Sequence, residues 1–183
     1  ANMDNIVDET WFVTDIDVNE QPYTLTVDEK VQIKTHALII STGASAMWLG
    51  IESETSLRGK GVSACATCDG AFFRNEHVAV VGGGDTAMEE ATFLTKFASK
   101  VTVIHRRDEL RASKAMQARA FANEKIEFIW DSEVVEVLGD QVVQGVNVKN
   151  RNSGELTTLN DVTGLFVAIG HRPNTELFKG VLT

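Results

Sequence analysis

Cysteine, proline and positive charge are all scarce in this sequence, and each scarcity removes a class of protein. The two cysteines, Cys65 and Cys68, and the scattered His36, His77, His105 and His171 fall short of the four clustered ligands of a structural zinc site. Two prolines, Pro22 and Pro173, and no low-complexity stretch leave no linker between obvious halves. Lys and Arg number 17 against 26 Asp and Glu. The resulting net charge of -9 argues against nucleic acid or an anionic membrane as partner, because phosphate neutralisation needs a basic face. The longest apolar runs, 36–40 and 165–169, are far below the roughly 20 residues that cross a bilayer. The start, Ala1-Asn2-Met3-Asp4-Asn5, has neither the basic region nor the apolar stretch of a secretory signal, so a soluble, cytoplasmic protein is expected. Hydrophobic residues at 43% and charged ones at 23% still suffice for a packed core, in one domain or two small ones.

Glycine supplies most of the punctuation. Residues 9–33 alternate in short pieces, 11–18, 23–27 and 31–33, separated by Asn19-Glu20-Gln21-Pro22 and Asp28-Glu29-Lys30, which predicts a small antiparallel meander. Ala37-Leu38-Ile39-Ile40 then predicts a strand buried on both faces, followed by Ser41-Thr42-Gly43-Ala44. The same order returns as strand-like pieces at 134–138, 142–148 and 155–159, followed by the apolar run 165–169 and Gly170. A module is repeated. In the second copy the meander is preceded by strands at 78–81, 101–104 and 126–129 with helices at about 85–98 and 112–123 between them. This alternation predicts an α/β fold: a parallel sheet with helices on its faces plus the meander.

His77-Val78-Ala79-Val80-Val81 runs straight into Gly82-Gly83-Gly84-Asp85-Thr86-Ala87, and Ala87, Ala91, Leu94 and Ala98 then recur at helical spacing. A G-x-G-x-x-A between a strand and a helix is a dinucleotide cradle. Gly82 allows the tight turn, Gly84 the approach of backbone to pyrophosphate, and Ala87 the packing of helix on strand. The N–H groups of Asp85 and Thr86 at the helix start face the phosphates. A plain glycine turn is the competing reading. The next strand ends in His105-Arg106-Arg107, where an NAD site would place an acid, and six cationic residues between Lys100 and Arg119 oppose only Asp108 and Glu109. Guanidinium forks match a 2′-phosphate, so Arg106, Arg107 and Arg111 point to NADPH, against the alternative of a solvated basic helix face.

The cysteines are spaced C-x-x-C in Cys65-Ala66-Thr67-Cys68-Asp69-Gly70, which near a βαβ pattern reads as a redox pair. An inert structural disulfide is less favoured, because closing so short a loop gains little. Asp69 is open to two readings: a proton donor for the leaving thiolate, or a turn and cap residue.

Cys65 to Gly70, Gly82 to Ala87 with Glu89-Glu90 behind it, His105-Arg106-Arg107 with Arg111, the run 164–171 and Ser41-Thr42-Gly43-Ala44 together resemble the low-molecular-weight thioredoxin reductases. The likeness covers nearly the whole chain. It implies an NADPH module at 48–172 inserted into an FAD module. Residues 1–47 and 173–183 would belong to the FAD module, with Thr42, Gly43 and Ala44 near the flavin. It further implies that Cys68 faces the flavin, that Cys65 attacks thioredoxin and that Asp69 moves the proton. His105 joins the three arginines at the adenosine phosphate, and Ile169 and Gly170 lie near the nicotinamide. Rotation of the inserted module about hinges near 47–50 and 171–174 is expected, as is a homodimer. No glycine loop precedes the first meander, so a fragment lacking both ends of the FAD module is expected. Two alternatives accompany this reading: a flavoprotein that serves a peroxidase, of the alkyl hydroperoxide reductase type, and an NADPH-binding module without turnover.

Overall fold

Short runs rich in β-branched residues, each ended by a polar turn, give the first strands: β1 (Val13–Asp17), β2 (Tyr23–Val27) and β3 (Val31–Thr35). They pair antiparallel in chain order, the expected meander. The structure, a computed structural model, describes residues 11–181, and the chain divides into two compact units. One holds the residues up to Ser45 with those from Arg172 onward; the other is Ala46–His171. The strand expected at 37–40 does not form, and Ile39 is 90% exposed. A strand apolar on both faces needs a neighbour on each side, and among the described residues none pairs with it. A short β4 (Ala44–Ala46) follows instead.

The second unit continues with α1 (Glu52–Leu57), β5 (Val62–Ser63), α2 (Ala66–Asp69), β6 (His77–Val81), α3 (Asp85–Leu94), β7 (Lys100–Ile104), α4 (Lys114–Phe121) and β8 (Ile126–Ile129). The second meander is β9 (Ser132–Leu138), β10 (Gly145–Asn150) and β11 (Leu156–Leu159); β12 (Val162–Val167) closes the unit, and β13 (His171–Pro173) pairs with β4. Strands β5, β12, β6, β7 and β8 lie side by side in that order, every pair parallel. Such a sheet must be covered on both faces. Val78, Val80, Val101 and Val103 pack with Met88, Ala91 and Leu94 of α3 and Ala120 of α4. Ala79, Ile104 and Leu165 pack the other way, on Val134, Val137, Val146 and Val148 of the meander. The alternation within each strand thus produces three layers.

Both long helices end earlier than their apolar spacing predicts. After Leu94 the chain tightens, with Lys96 and Phe97 N–H donating to the carbonyls of Phe93 and Leu94. Lys125 Nζ then takes the free carbonyls of Thr95 and Ala98, both at 2.9 Å. A cation there satisfies orphan acceptors and suits the helix dipole. At the opposite end of the sheet from the glycine loop, buried His77 bridges Thr102 Oγ1 at 2.7 Å and Asp161 Oδ2 at 2.8 Å, which accounts for a buried polar pair among apolar strands.

Candidate functional site

Open parallel sheets bind ligands beyond the carboxyl ends of their strands, where the order reverses. In the second unit that point falls at β6, which has β7 on one side and β12 on the other. A cavity of about 690 Å³ opens there. Gly82, Gly84, Asp85 and Thr86 line it from the glycine loop, His105, Arg106, Arg107 and Arg111 from the loop after β7, and Ile169 and Gly170 from the end of β12. These three separate stretches of sequence converge on one pocket.

The loop is glycine for steric reasons. At Gly82, φ is +152°, and a Cβ would collide with the Ala168 carbonyl and meet Ala87 Cβ at 2.7 Å. At Gly83 a Cβ would collide with the His105 ring, whereas at Gly84 it would meet nothing within 4 Å. The tight positions face protein and the open one heads α3. A dinucleotide pyrophosphate therefore has both space and free N–H donors at this end. Ala87 is fully buried beneath Gly82 and does not line the cavity; its part is packing. Asp85 lines the cavity, but its Oδ1 accepts the Ser113 N–H at 2.7 Å, tying the start of α3 to that of α4.

The Gly83 carbonyl accepts the Arg111 and Ala112 N–H groups at 2.7 and 3.0 Å, so the arginine loop and the glycine loop are laced together. His105 is buried, with Nε2 3.0 Å from the Glu109 carbonyl. Burial pushes its pKa below the ordinary value, the Glu109 carbonyl opposes this, and the guanidiniums of Arg107, Arg106 and Arg111 push it further down. Its imidazole is neutral at pH 7 and shapes the loop, while the arginines supply the charge.

Cys65 and Cys68 form a disulfide across the first turn of α2, with Cα atoms 5.3 Å apart. Cys68 is exposed and Cys65 half-buried. Cys65 Sγ accepts the Cys68 N–H at 3.2 Å and lies 3.4 Å from Thr67 Oγ1. Asp69, half-buried, closes α2 and donates its N–H to the Cys65 carbonyl at 3.1 Å. Helix α2 packs on α3. Gly70, just beyond it, is buried, and a Cβ there would meet Leu94 Cδ2 at 3.0 Å. The disulfide does not line the nucleotide cavity. Thr42, Gly43 and Ala44 belong to the first unit with Asn174, whose N–H donates to the Gly43 carbonyl at 3.0 Å and whose Nδ2 donates to the Thr42 carbonyl at 3.1 Å.

Several residues of the site have no signature in the sequence. Met47, Trp48 and Leu49 form part of the cavity wall, as do Ser132 and Glu133 at the start of β9. Glu90 on α3 has its carboxyl pushed up to about 7, chiefly by burial, with the Ala66 N–H opposing and Glu89 reinforcing the shift. The adjacent acids of Glu89-Glu90 were the one visible hint.

A sheet that reverses at a glycine loop, beside a reducible C-x-x-C, defines a class. The profile of the pyridine nucleotide-disulphide oxidoreductase family matches residues 1–182, and the chain belongs to that family. Among curated relatives, it is 56% identical over 170 residues to a thioredoxin reductase of Streptomyces coelicolor, covering 93% of this chain and 52% of the relative. It is 49% identical over 178 residues to the thioredoxin reductase of Dictyostelium discoideum, covering 95% and 56%. The solved structure of Lactococcus lactis thioredoxin reductase superposes with a TM-score of 0.83 at 43% identity, covering 94% of this chain and 56% of that one. The chain spans about half the length of the curated relatives it matches.

Proposed function

We propose that the chain is the nucleotide- and disulfide-bearing part of an NADPH-dependent flavoprotein disulfide reductase that acts on thioredoxin. One observation carries the reading: the glycine loop and three arginines open on a single cavity, in the same unit that holds the Cys65–Cys68 disulfide. NADPH and FAD supply the hydride chemistry when bound. The chain's own part is to hold and orient. The N–H groups heading α3 receive the pyrophosphate; Arg106, Arg107 and Arg111 receive the 2′-phosphate beside neutral His105; Ile169 and Gly170 border the nicotinamide end. Cys68, the exposed sulfur, is open to the flavin. Cys65, whose sulfur accepts the Cys68 N–H, attacks the disulfide of thioredoxin, and Asp69 exchanges the proton. Thr42, Gly43 and Ala44 offer the flavin a turn only, since among the described residues there is no second glycine-rich strand-to-helix loop. The named relatives support thioredoxin as substrate, and a cytoplasmic homodimer completes the proposal by the same likeness.

Calorimetric titration with NADP⁺ and NAD⁺ tests the nucleotide step directly. Replacing Arg106 and Arg107 by Ala is expected to weaken NADP⁺ by about 10- to 100-fold, the worth of one or two charge-assisted hydrogen bonds, and to leave NAD⁺ nearly unchanged. Equal losses for both nucleotides, or none, remove the assignment.

A further inference from the structure

The arginine pocket contains an acid. Glu133, the second residue of β9, lines the same cavity as Arg106, Arg107 and Arg111. A carboxylate at the edge of a 2′-phosphate site opposes the ligand by like charge and offers ribose hydroxyls the acceptor that an NAD site uses. Something has to offset it, and Arg151 is in position to do so. Its Nε lies 3.4 Å from Glu133 Oε2, both side chains being about half exposed, at 49% and 50%. Its Nη1 donates to the Arg106 carbonyl at 3.3 Å. Its backbone N–H donates to the Asp131 carbonyl at 2.6 Å, and Asp131 in turn donates to the Arg107 carbonyl at 3.2 Å. Asp131 stands at φ +51°, a left-handed conformation that Asp tolerates better than most residues. One residue thus grips the carbonyls of Arg106 and Asp131 and the carboxylate beside them.

Arg151 lies just past β10, in the turn before β11, far from the glycine loop in sequence. That turn is stiff. Asn150 Oδ1 accepts the N–H groups of Asn152 and Ser153 at 3.0 and 2.9 Å, and the Gly154 N–H closes on the Asn150 carbonyl at 2.9 Å. A long cationic side chain from a fixed turn loses less freedom when it pairs.

We infer that Arg151 is a positioning residue for nucleotide choice: it neutralises Glu133 and fixes the Arg106 backbone, and so keeps the pocket selective for a 2′-phosphate over a free ribose hydroxyl. This rests on the nucleotide reading above. NADP⁺ and NAD⁺ titrations of the full chain test it. Arg151→Ala is expected to weaken NADP⁺ by about fivefold, the scale of a half-exposed charge pair, while NAD⁺ holds or tightens. Adding Glu133→Gln to that variant restores most of the NADP⁺ affinity, and Arg151→Lys alone keeps most of it. A purely structural role predicts instead that both nucleotides weaken by the same factor and that Glu133→Gln rescues nothing; either result overturns the inference. Should Arg151→Ala not fold, Glu133→Gln alone decides. It leaves NADP⁺ binding equal or tighter if the acid opposes the phosphate, and a loss rejects the idea. Wild-type chain that prefers neither nucleotide, with no loss on Arg107→Ala, marks failure of the underlying nucleotide reading and takes this inference with it.

Discussion

A single carboxyl shows how a residue's surroundings outrun its place in the sequence. Glu90 carries one carboxylate oxygen, Oε2, that is buried without a hydrogen-bond partner. Its pKa is raised from 4.5 to about 7. The folded chain therefore holds a proton there that the unfolded chain releases. Between pH 4.5 and about 7 the native state binds more protons, so stability from this site is full below 4.5, falls as pH rises through 7, and stays lost above. The full shift is screened at a half-exposed position, which leaves a cost of about 1 kcal/mol at pH 8. Glu90→Gln is accordingly expected to raise stability by about that amount at pH 8 and to change little at pH 4.5, as read from urea unfolding at the two values. The opposite ordering rejects a buried, protonated Glu90. Of this the sequence shows only the adjacent acids Glu89-Glu90. Residues 65–70 announce a cysteine pair but not a short helix lying on α3, and that packing is what buries Glu90.

At the scale of elements, periodicity carried well where the sheet is complete. Continuous apolar runs at β6, β7 and β12, and alternating ones in both meanders, gave the strands because each is flanked by the neighbours its pattern demands. The same rule misplaced a strand at 37–40, where no described neighbour exists. Nor did any pattern signal the segment just before α1, which walls the nucleotide cavity through Met47, Trp48 and Leu49. Its anchor is Glu54, a fully buried acid on α1 that accepts the Leu49 and Gly50 N–H groups at 2.8 and 3.1 Å and pairs with Arg58 at 3.1 Å. The Arg58 guanidinium in turn sits 4.0 Å from the centroid of the Trp48 ring. Three groups depend directly on one carboxylate. Glu54→Ala leaves two N–H donors and a guanidinium short of their acceptor, with an expected loss of about 2–4 kcal/mol in the unfolding free energy. Nucleotide affinity falls with it in the surviving folded fraction, because the cavity wall loosens. A loss below about 0.5 kcal/mol would show that water replaces the carboxylate freely.

Across the whole molecule, a chain of net charge -9 binds its proposed anionic ligand through a patch of opposite sign. The two fields differ in range. Repulsion from dispersed acids acts over many ångströms, whereas guanidinium contacts with a 2′-phosphate act at hydrogen-bond distance within a walled cavity. NADP⁺ and NAD⁺ share the pyrophosphate and differ in that one phosphate, so the ratio of their dissociation constants cancels most of the common terms and isolates the arginine pocket. Raising salt from about 0.05 to 0.5 M shortens the screening length from roughly 14 to 4 Å and weakens both fields. If the short-range attraction dominates, the preference for NADP⁺ shrinks, by about two- to fivefold over that range, because contact pairs in a half-exposed pocket are only partly screened. If the dispersed acids dominate, the preference grows with salt, since relief of repulsion favours the ligand with the greater negative charge. Repeating the titration with Arg107→Ala separates the two: the local pocket predicts a flattened salt dependence in the variant, and the dispersed field predicts one that is unchanged.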